Sequence, residues 1–564
     1  MPARSFPFAQ TFLRFVTLLE SQEMAHLRNG LNGLYRILFV IIFVSMLANA
    51  QVNVPTWHND NSRTGQNLSE TTLTPANVNT SQFGKLAGLS VDGQIFAQPL
   101  YMSNVTIPNQ GVHNVVYVAT ENDSVYAFDA SANPATPLWQ AAFANPSQGI
   151  TAVPCADTGT CVIDPTYGIT GTPVIDPASL TLYVVAFTKE NGSYFQRLHA
   201  LDLGSGAEKF GGPVVIKASV LGFGSGNVNG VVTFTPITQS QRPALLLSNG
   251  VVYISWASFG DLNVFHGWLM GYNATTLAQV SVWNDTPNGS DGGIWMSAGG
   301  PATDANGNIF LITGNGTLAP PYSSFQSGGF GDSFVKLSTT NGLAVADYFA
   351  PYNQTVLSDM DLDLGSGAAL IPPTQGGPYP DEVIGGSKAG TIYVVNRDNM
   401  GHYNPYTNLT IQTIEGSVGG YYGGAAYWNN NVYLGGQADF LSMYSLTDGL
   451  LSTSPTHQSP SMYALGTTPS VSASGLTNAI VWAVERGASA GKPAVLHAYD
   501  ATDISTEIYN SSMNTKRDGL GGGTRFSVPT IANGLVYVGT SKTLAIFGLL
   551  PGIHAVQPGT PNRF

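Results

Sequence analysis

Residues 526–549 read FSVPTIANGLVYVGTSKTLAIFGL, which divides into three apolar stretches with turn residues between them. The first stretch is rich in small residues, and the second has β-branched residues around a central aromatic. The third stretch carries an apolar strand pattern and closes the run. This part of the sequence therefore predicts three consecutive antiparallel strands.

The same triplet can be found eight times along the chain, as repeat architectures require. The first stretches are IFAQPLYM (95–102), GITGTPVID (168–176), RPALLLSN (242–249), MSAGGPATD (296–304), GSGAALIPP (365–373), YGGAAYWN (422–429), GTTPSVSAS (466–474) and FSVPTIAN (526–533). The second stretches are VVYVAT (115–120), TLYVVA (181–186), VVYISW (251–256), NIFLIT (308–313), DEVIGG (381–386), NVYLGG (431–436), AIVWAV (479–484) and LVYVGT (535–540). Small residues in the first stretches suit strands that are crowded near a central axis.

A fourth, edge strand follows most of the triplets, as in PLWQAAF (137–143) and AQVSVWN (278–284). The last triplet lacks one, and FGKLAGLSV (83–91) can supply it from the other end of the chain. Four short antiparallel strands repeated eight times predict an all-β, eight-bladed β-propeller that the N-terminal strand closes. A pair of β-sandwiches is the alternative, but its repeats would be less alike in order.

The first fifty residues read as a leader. Residues 37–47, ILFVIIFVSML, form an apolar run that follows two arginines and precedes the small-x-small site Ala48–Ala50. The run is too short to span a bilayer, and Met24 gives a leader of ordinary length if it is the true start. We expect a signal peptide in residues 1–50, an N-terminal segment in 51–82, the propeller in 83–550 and a tail in 551–564. The mature protein is then secreted or periplasmic.

Charge and cysteine content narrow the partners further. Without the leader, which holds four Arg and two acidic residues, the chain keeps 17 basic and 32 acidic residues. Such an acidic chain is an unsuitable partner for nucleic acid. Cys155 and Cys161 are the only cysteines, and in an exported protein they are expected to form a disulfide. The sequence contains no CxxCH motif for attachment of a haem. If the protein transfers electrons, it must therefore pass them to an external acceptor.

The residues from 56 onward show a resemblance to a known family. TWHNDNSRTGQNLSETTLTPANV (56–78) resembles the start of the pyrroloquinoline quinone (PQQ) dependent alcohol dehydrogenases and their secreted relatives. The resemblance continues to residue 550 through GITGTPVIDP at 168, HALD at 199, GNGT at 314, DMDLDLGSG at 359 and GGSKAGTIYVVNRDNMG at 385. It implies a PQQ-repeat propeller and an oxidoreductase that uses PQQ and calcium.

Chemically suggestive residues fall in two kinds of loop that leave the same face of a propeller. Glu190, Asn315 and Lys388 follow second strands, whereas five others precede first strands: Cys155, Cys161, Trp295, Asp361 and Asp363. Carboxylate and amide oxygens from different blades are the ligands that Ca²⁺ requires. The resemblance matches Glu190 and Asn315, together with Asp363, to calcium ligands.

The remaining roles also come from the resemblance. Asp361 or Asp363 matches the catalytic base, and the spacing before Gly365 favours Asp363. Lys388 matches the cation that contacts the quinone oxygens, and Trp295 matches the flat ring beneath the cofactor. The family's pair of adjacent cysteines is missing, and Cys161, with Cys155, stands near its place in a longer loop.

Each of these residues also has an ordinary structural interpretation. Glu190 can be an exposed turn carboxylate, Asn315 a residue tolerated at positive φ, and Trp295 a wedge between blades. Two functions therefore stay open. The first is a PQQ- and calcium-dependent dehydrogenase that oxidises an alcohol or sugar hydroxyl. The second is a non-catalytic exported propeller that binds protein or glycan, since a fold alone does not determine function.

Overall fold

A computed structural model describes residues 52–131, 136–319, 329–487 and 492–552. The predicted leader and most of the predicted tail lie outside the described residues. Within the described residues no helix is long and apolar enough to cross a membrane. The described chain is almost entirely strand and loop, because short β-branched and aromatic stretches alternate with turn residues throughout.

The strands form eight antiparallel sheets arranged as an eight-bladed β-propeller, which confirms the predicted fold. Two strands precede the first blade, β1 (Gln66–Asn67) and β2 (Phe83–Ser90). Blade one has β3 (Leu100–Ile107), β4 (Gly111–Thr120), β5 (Ser124–Asp129) and β6 (Trp139–Ala142). Blade two has β9 (Val174–Asp176), β10 (Thr181–Glu190), β11 (Ser193–Asp202) and β12 (Val214–Val215), extended by β7 (Ile150–Pro154) and β8 (Thr166–Tyr167).

Blades three and four each carry an additional hairpin or strand. A hairpin of β13 (Ser219–Leu221) and β14 (Val231–Thr233) precedes blade three, which has β15 (Gln239–Ser240), β16 (Leu246–Ser248), β17 (Val251–Ser258), β18 (Trp268–Asn273) and β19 (Gln279–Asn284). Blade four has β20 (Ala302–Thr303), β21 (Ile309–Ile312), β24 (Phe334–Ser338) and β25 (Ala344–Ala350), with β22 (Leu318–Ala319) and β23 (Gly329–Phe330) as a hairpin between its strands.

The second half of the ring completes the circle. Blade five has β26 (Glu382–Gly386), β27 (Ile392–Asn396) and β29 (Gln412–Ile414), while β28 (His402–Tyr403) pairs with blade four. Blade six has β30 (Ala426–Trp428), β31 (Asn431–Gly435), β32 (Asp439–Thr447), β33 (Leu450–Leu451) and β34 (His457–Tyr463). Blade seven has β35 (Ser470–Ser474), β36 (Thr477–Glu485), β37 (Val495–Asp500) and β38 (Glu507–Asn510), and blade eight has β39 (Thr530–Ala532), β40 (Leu535–Gly539) and β41 (Thr543–Leu549).

Helices are few and short. The α-helices are α1 (Gln354–Asp359) and α2 (Thr515–Asp518), and the 3₁₀ turns are Pro146–Gln148, Cys155–Thr158, Met296–Ala298, Leu364–Ser366 and Ser511–Asn514.

The ring closes by joining the two ends of the chain. Strand β2 pairs antiparallel with β41 from Phe83↔Leu549 to Ser90↔Thr543, so blade eight gains its fourth strand from the N-terminal side. This pairing confirms the predicted closure.

Most of the predicted first strands form over only part of their length, and that of blade five is reduced furthest. Residues 365–373 were expected to be the first strand of blade five, but only a single bridge, Leu370↔Ile384, joins them to β26. Pro372 and Pro373 have no backbone N–H to donate to a ladder, so the stretch cannot extend into a regular strand.

Residues 54–67 pass from blade to blade around the centre of the ring, and we call them the axial segment. They form hydrogen bonds with the first strand or first stretch of all eight blades in order: Val54 with Tyr101, Pro55 with Ile175, Asn61 with Leu247 and Thr303, Ser62 with Ile371, Thr64 with Tyr427, Gly65 with Val471, and Asn67 with Ile531. The axial segment thereby fills the centre of the ring. The small residues of the first strands make room for it, since a Cβ on Gly424 would lie 2.3 Å from the Trp57 ring.

Candidate functional site

A cavity of ≈ 360 Å³ opens among the loops that precede first strands and follow second strands, and we call it the central cavity. Its volume is in the range of small-molecule binding sites. Its lining comes from six blades: Val162, Ile163, Tyr167, Thr170, Ser240, Arg242, Ser258, Phe259, Gly260, Asp261, Trp295, Ser297, Asp361, Asp363, Ser366, Lys388, Tyr422, Arg525 and Phe526. Most of these residues lie five to eight positions before the residue of the same blade that contacts the axial segment. The cavity and the axial segment therefore lie at different heights along the propeller axis.

Two carboxylates hold a lysine at the wall of this cavity. The Lys388 ammonium lies 2.6 Å from Asp361 Oδ1 and 2.6 Å from Asp363 Oδ2. Burial lowers the pKa of Lys388, but the two aspartates outweigh it and the net shift is upward. Asp363 is almost fully buried, whereas the Asp361 side chain is 68% exposed. Lys388 is therefore charged and fixed in place.

Asn315 completes the same group. Its backbone N–H donates to Asp363 Oδ1 at 2.9 Å, and its Nδ2 donates to Asp361 Oδ1 at 3.1 Å. The glycines beside these residues allow the close approach, since a Cβ on Gly365 would lie 2.4 Å from the Thr313 backbone and one on Gly314 would lie 2.7 Å from the Trp295 ring. The sequence GNG at 314–316 thus brings its asparagine into contact with Asp361 and Asp363.

Two arginines bring positive charge to the other side of the cavity. The Arg242 guanidinium carbon lies 4.5 Å from the centre of the Phe526 ring and 5.6 Å from that of Trp295. Burial, and then the nearby charge of Arg525, lower the pKa of Arg242 to about 10, which still leaves it protonated at neutral pH. Neither arginine forms a salt bridge with any described carboxylate. The central cavity therefore offers unpaired cations next to aromatic rings.

Sequence reasoning did not single out Arg242, Arg525 or Asp261. Asp261 follows β17 at the mouth of the cavity. Desolvation by the surrounding protein, and then the negative charge of Asp363, raise the pKa of Asp261 to about 6. All three residues lie in the two loop types that were expected to form the functional face. A search of those loops for every charged residue would have found them.

The structure brings Asn315, Asp361, Asp363, Lys388 and Trp295 together and leaves Glu190 apart. Both Glu190 carboxylate oxygens bind the guanidinium of Arg197, which lowers the pKa of Glu190 against the opposing effect of burial. Glu190 lines a second cavity, with Phe143 and His199 among its neighbours. The separation arises because β10 extends to Glu190 and pairs at its end with β7, outside the central cavity.

Cys155 and Cys161 form the predicted disulfide, with their Cα atoms 4.9 Å apart, within the range such bonds require. Among the described residues, the only three potential metal ligands of the histidine, cysteine or acidic type that lie within 4.8 Å of one another are these cysteines and Asp164. The sulfurs are bonded to each other and so are not thiolates. Val162 and Ile163, which follow the disulfide, form part of the wall of the central cavity.

Loss of the disulfide is expected to affect this wall more than the propeller. In the double variant Cys155→Ser/Cys161→Ser, amide hydrogen exchange should accelerate in residues 156–163. The free energy of unfolding should fall by about 2 kcal/mol or less, because the loop closed by the bond is short. Exchange measured by mass spectrometry on both proteins tests this. Unchanged exchange in the loop would show that its packing, and not the bond, fixes it.

Comparisons with known proteins support the fold. No protein-family model matches the sequence, and no curated protein matches it. Among solved structures, a quinohemoprotein alcohol dehydrogenase from Pseudomonas putida is similar at TM-score 0.55 and 13% identity, over 91% of this chain and 82% of that one. A quinohemoprotein alcohol dehydrogenase from Comamonas testosteroni gives 0.54 and 15%, over 93% and 84%.

BamB from Moraxella catarrhalis gives TM-score 0.46 and 13% identity, over 84% of this chain and 99% of that one. The likeness to the two quinohemoprotein alcohol dehydrogenases shows that this chain has a propeller fold like theirs. At these identities the likeness establishes the fold alone.

Proposed function

We propose that this chain is an exported quinoprotein-type dehydrogenase that binds PQQ in the central cavity and oxidises an alcohol or sugar hydroxyl. The observation that carries the proposal is the Lys388 ammonium held between Asp361 and Asp363 at the cavity wall. A positive charge fixed there is suited to stabilising negative charge on a bound carbonyl oxygen. The proposal includes export by a leader in residues 1–50 and the division into N-terminal segment, propeller and tail given above.

The residues of the central cavity fit a planar, carboxylated quinone. Arg242 and Lys388 supply two cations for its carboxylates and carbonyl oxygens, and Trp295 and Phe526 supply flat apolar surface. The unpaired arginines are costly to keep so close together without an anionic ligand. The flat aromatic surface and the arginine charge beside it support an anionic aromatic ligand on this side of the cavity, whereas Asp361 and Asp363 offset Lys388 on the opposite wall.

The residues do not assemble the calcium site that the family resemblance implies. Glu190 is bound to Arg197 elsewhere, and Lys388 already lies between the two carboxylates where a cation would be bound. Of the three predicted ligands, only Asn315 keeps a side-chain oxygen, Oδ1, without a partner among the described residues. We therefore assign no step to Ca²⁺ and take Lys388 as the positive charge of this site.

The chain's own residues then have separate roles. A quinone held by Arg242, Lys388 and the Trp295 ring would supply the two-electron acceptor for oxidation of the alcohol carbon. Asp363, which contacts Lys388 and the Asn315 N–H, accepts the hydroxyl proton. Lys388 orients Asp363 and faces the cavity. Turnover would require an external electron acceptor, since the sequence has no CxxCH haem motif.

Direct binding of PQQ tests the proposal. Titration of PQQ into the mature chain should quench tryptophan fluorescence and saturate at one equivalent, with and without Ca²⁺. Arg242→Gln should weaken binding by about tenfold or more, because a charge-assisted contact is worth about 1.5–3 kcal/mol. Lys516→Gln removes a charge at an exposed position and should have no effect. Binding only with Ca²⁺ would restore the calcium site, and no binding would refute the proposal.

A non-catalytic scaffold is the second candidate, and one surface favours it. The segment formed by β13, β14 and their connection exposes apolar side chains, with Leu221 84%, Phe223 73% and Val228 70% exposed. Exposed apolar residues grouped in this way are typical of a surface that contacts another protein. A propeller that fails to bind PQQ but retains this surface would fit the scaffold function.

A further inference from the structure

Another cavity, of ≈ 250 Å³ and distinct from the one lined by Glu190, adjoins the central cavity and contains two arginines. We call it the arginine cavity. Its lining includes Tyr422, Arg486, Arg525 and Phe526. It shares Tyr422, Arg525 and Phe526 with the central cavity, so the two cavities are neighbours on one face of the propeller.

The charge in the arginine cavity is unbalanced. Arg486 and Arg525 line it, and none of the described Asp or Glu residues does. The neighbouring Glu485 carboxylate faces away, 3.5 Å from His497 Nε2. Burial, and then the charge of Arg525, lower the pKa of Arg486. Two guanidinium groups are thus kept together in a chain with 34 acidic and only 21 basic residues.

The arginines also have unused hydrogen-bond donors. The Nε atoms of Arg486 and Arg525 are buried and have no partner within the described residues. A buried charged donor without a partner is costly, which indicates that a ligand supplies the acceptors. The two side chains converge from loops of blades seven and eight, so local chain geometry does not account for their proximity.

Three hydroxyls of the cavity are already engaged as donors. Thr467 Oγ1 donates to the Val484 carbonyl at 3.1 Å, and Ser527 Oγ donates to the Gly539 carbonyl at 3.1 Å. Thr524 Oγ1 donates to the Ile95 carbonyl at 2.8 Å. The guanidinium groups, unlike these hydroxyls, keep donors without acceptors among the described residues. Their planar pairs of N–H groups match a planar carboxylate, whereas phosphate sites typically add hydroxyls or a helix N-terminus.

We propose that the arginine cavity is a binding site for the carboxylate of a small organic acid. Arg486 and Arg525 hold the carboxylate, and the cavity volume limits the ligand to a single small molecule. Because the cavity adjoins Asp363 and Lys388 through Phe526 and Tyr422, a hydroxyl on the same molecule can extend toward the central cavity. The preferred substrate class is then a hydroxy acid or sugar acid, a step that rests on the proposed function.

Calorimetric binding to the mature chain, without quinone, tests the site. D-gluconate should bind with a Kd of about 1 mM or tighter, and D-glucose at least about tenfold more weakly, because glucose lacks the carboxylate. Arg486→Gln should weaken gluconate binding by at least about tenfold. Arg486→Lys keeps the charge but not the fork of donors and should show an intermediate loss.

Three controls separate the outcomes. Lys516→Gln removes an exposed positive charge and should leave gluconate binding unchanged. Arg486→Gln should leave PQQ binding within about threefold of the unsubstituted chain, since Arg486 does not line the central cavity. Inorganic phosphate should bind more weakly than gluconate. Equal binding of glucose and gluconate, tighter binding of phosphate, or full gluconate affinity in Arg486→Gln would each overturn the site. The assay needs no turnover, so its result is independent of the proposed dehydrogenase.

Discussion

Replacement of Arg63 by leucine is expected to lower the free energy of unfolding by about 3 to 5 kcal/mol. Arg63 is fully buried in the axial segment. Its guanidinium donates to the Pro301 carbonyl at 3.0 Å, to Thr56 Oγ1 at 2.7 Å, to the Trp57 carbonyl at 3.0 Å and to the Leu245 carbonyl at 3.3 Å. Leucine fills much of the space but leaves these buried acceptors without a donor.

The effect should extend beyond one blade, because the axial segment bonds to all eight in turn. Urea unfolding of the mature chain, followed by tryptophan fluorescence, measures it. Arg63→Lys retains the charge but not the five-donor fork and should lose about 1 to 3 kcal/mol. Lys516→Leu, at an exposed position, should change stability by no more than about 0.5 kcal/mol. If Arg63→Leu is no worse than Lys516→Leu, the axial segment does not hold the ring together.

The repeats of the propeller could be predicted from sequence because each depends on local pattern. Three apolar stretches with turns between them, as in 526–549, specify a meander without knowledge of any distant residue. Closure by β2 followed from counting strands in the last blade. The axial segment could not be predicted in this way. Its contacts join residues such as Asn67 and Ile531, which are separated by most of the chain.

The candidate site could be predicted in part for a related reason. The topology of a blade determines which face a loop leaves, and this brought Asn315, Asp363 and Lys388 into contact with one another. It does not determine how far from the axis a loop ends. Glu190 ends a ten-residue strand and meets Arg197 on the paired strand, so its carboxylate stays away from the axis. Arg242 was missed because only residues typical of a calcium and quinone site were sought.

Replacement of Asp363 by asparagine is expected to reduce quinone-dependent dye reduction by about 10² to 10⁴-fold. Asparagine has nearly the same shape but cannot accept the hydroxyl proton of an alcohol. Its amide can still accept from the Asn315 N–H, so the loop should keep its conformation. Initial rates with PQQ and a panel of alcohols, sugars and sugar acids measure the loss, and PQQ titration checks that the cofactor still binds.

Two matched variants make the result specific to Asp363. Asp359→Asn removes a negative charge at an exposed position of α1, a few residues earlier, and should retain full activity. Asp361→Asn should lower the rate by less than about tenfold, because the Asp361 side chain is 68% exposed and solvent screens its charge. The opposite order, with Asp361→Asn inactive and Asp363→Asn active, would identify Asp361 as the base. Asp363 would then serve to hold Lys388, a role that its burial and its two polar contacts also allow.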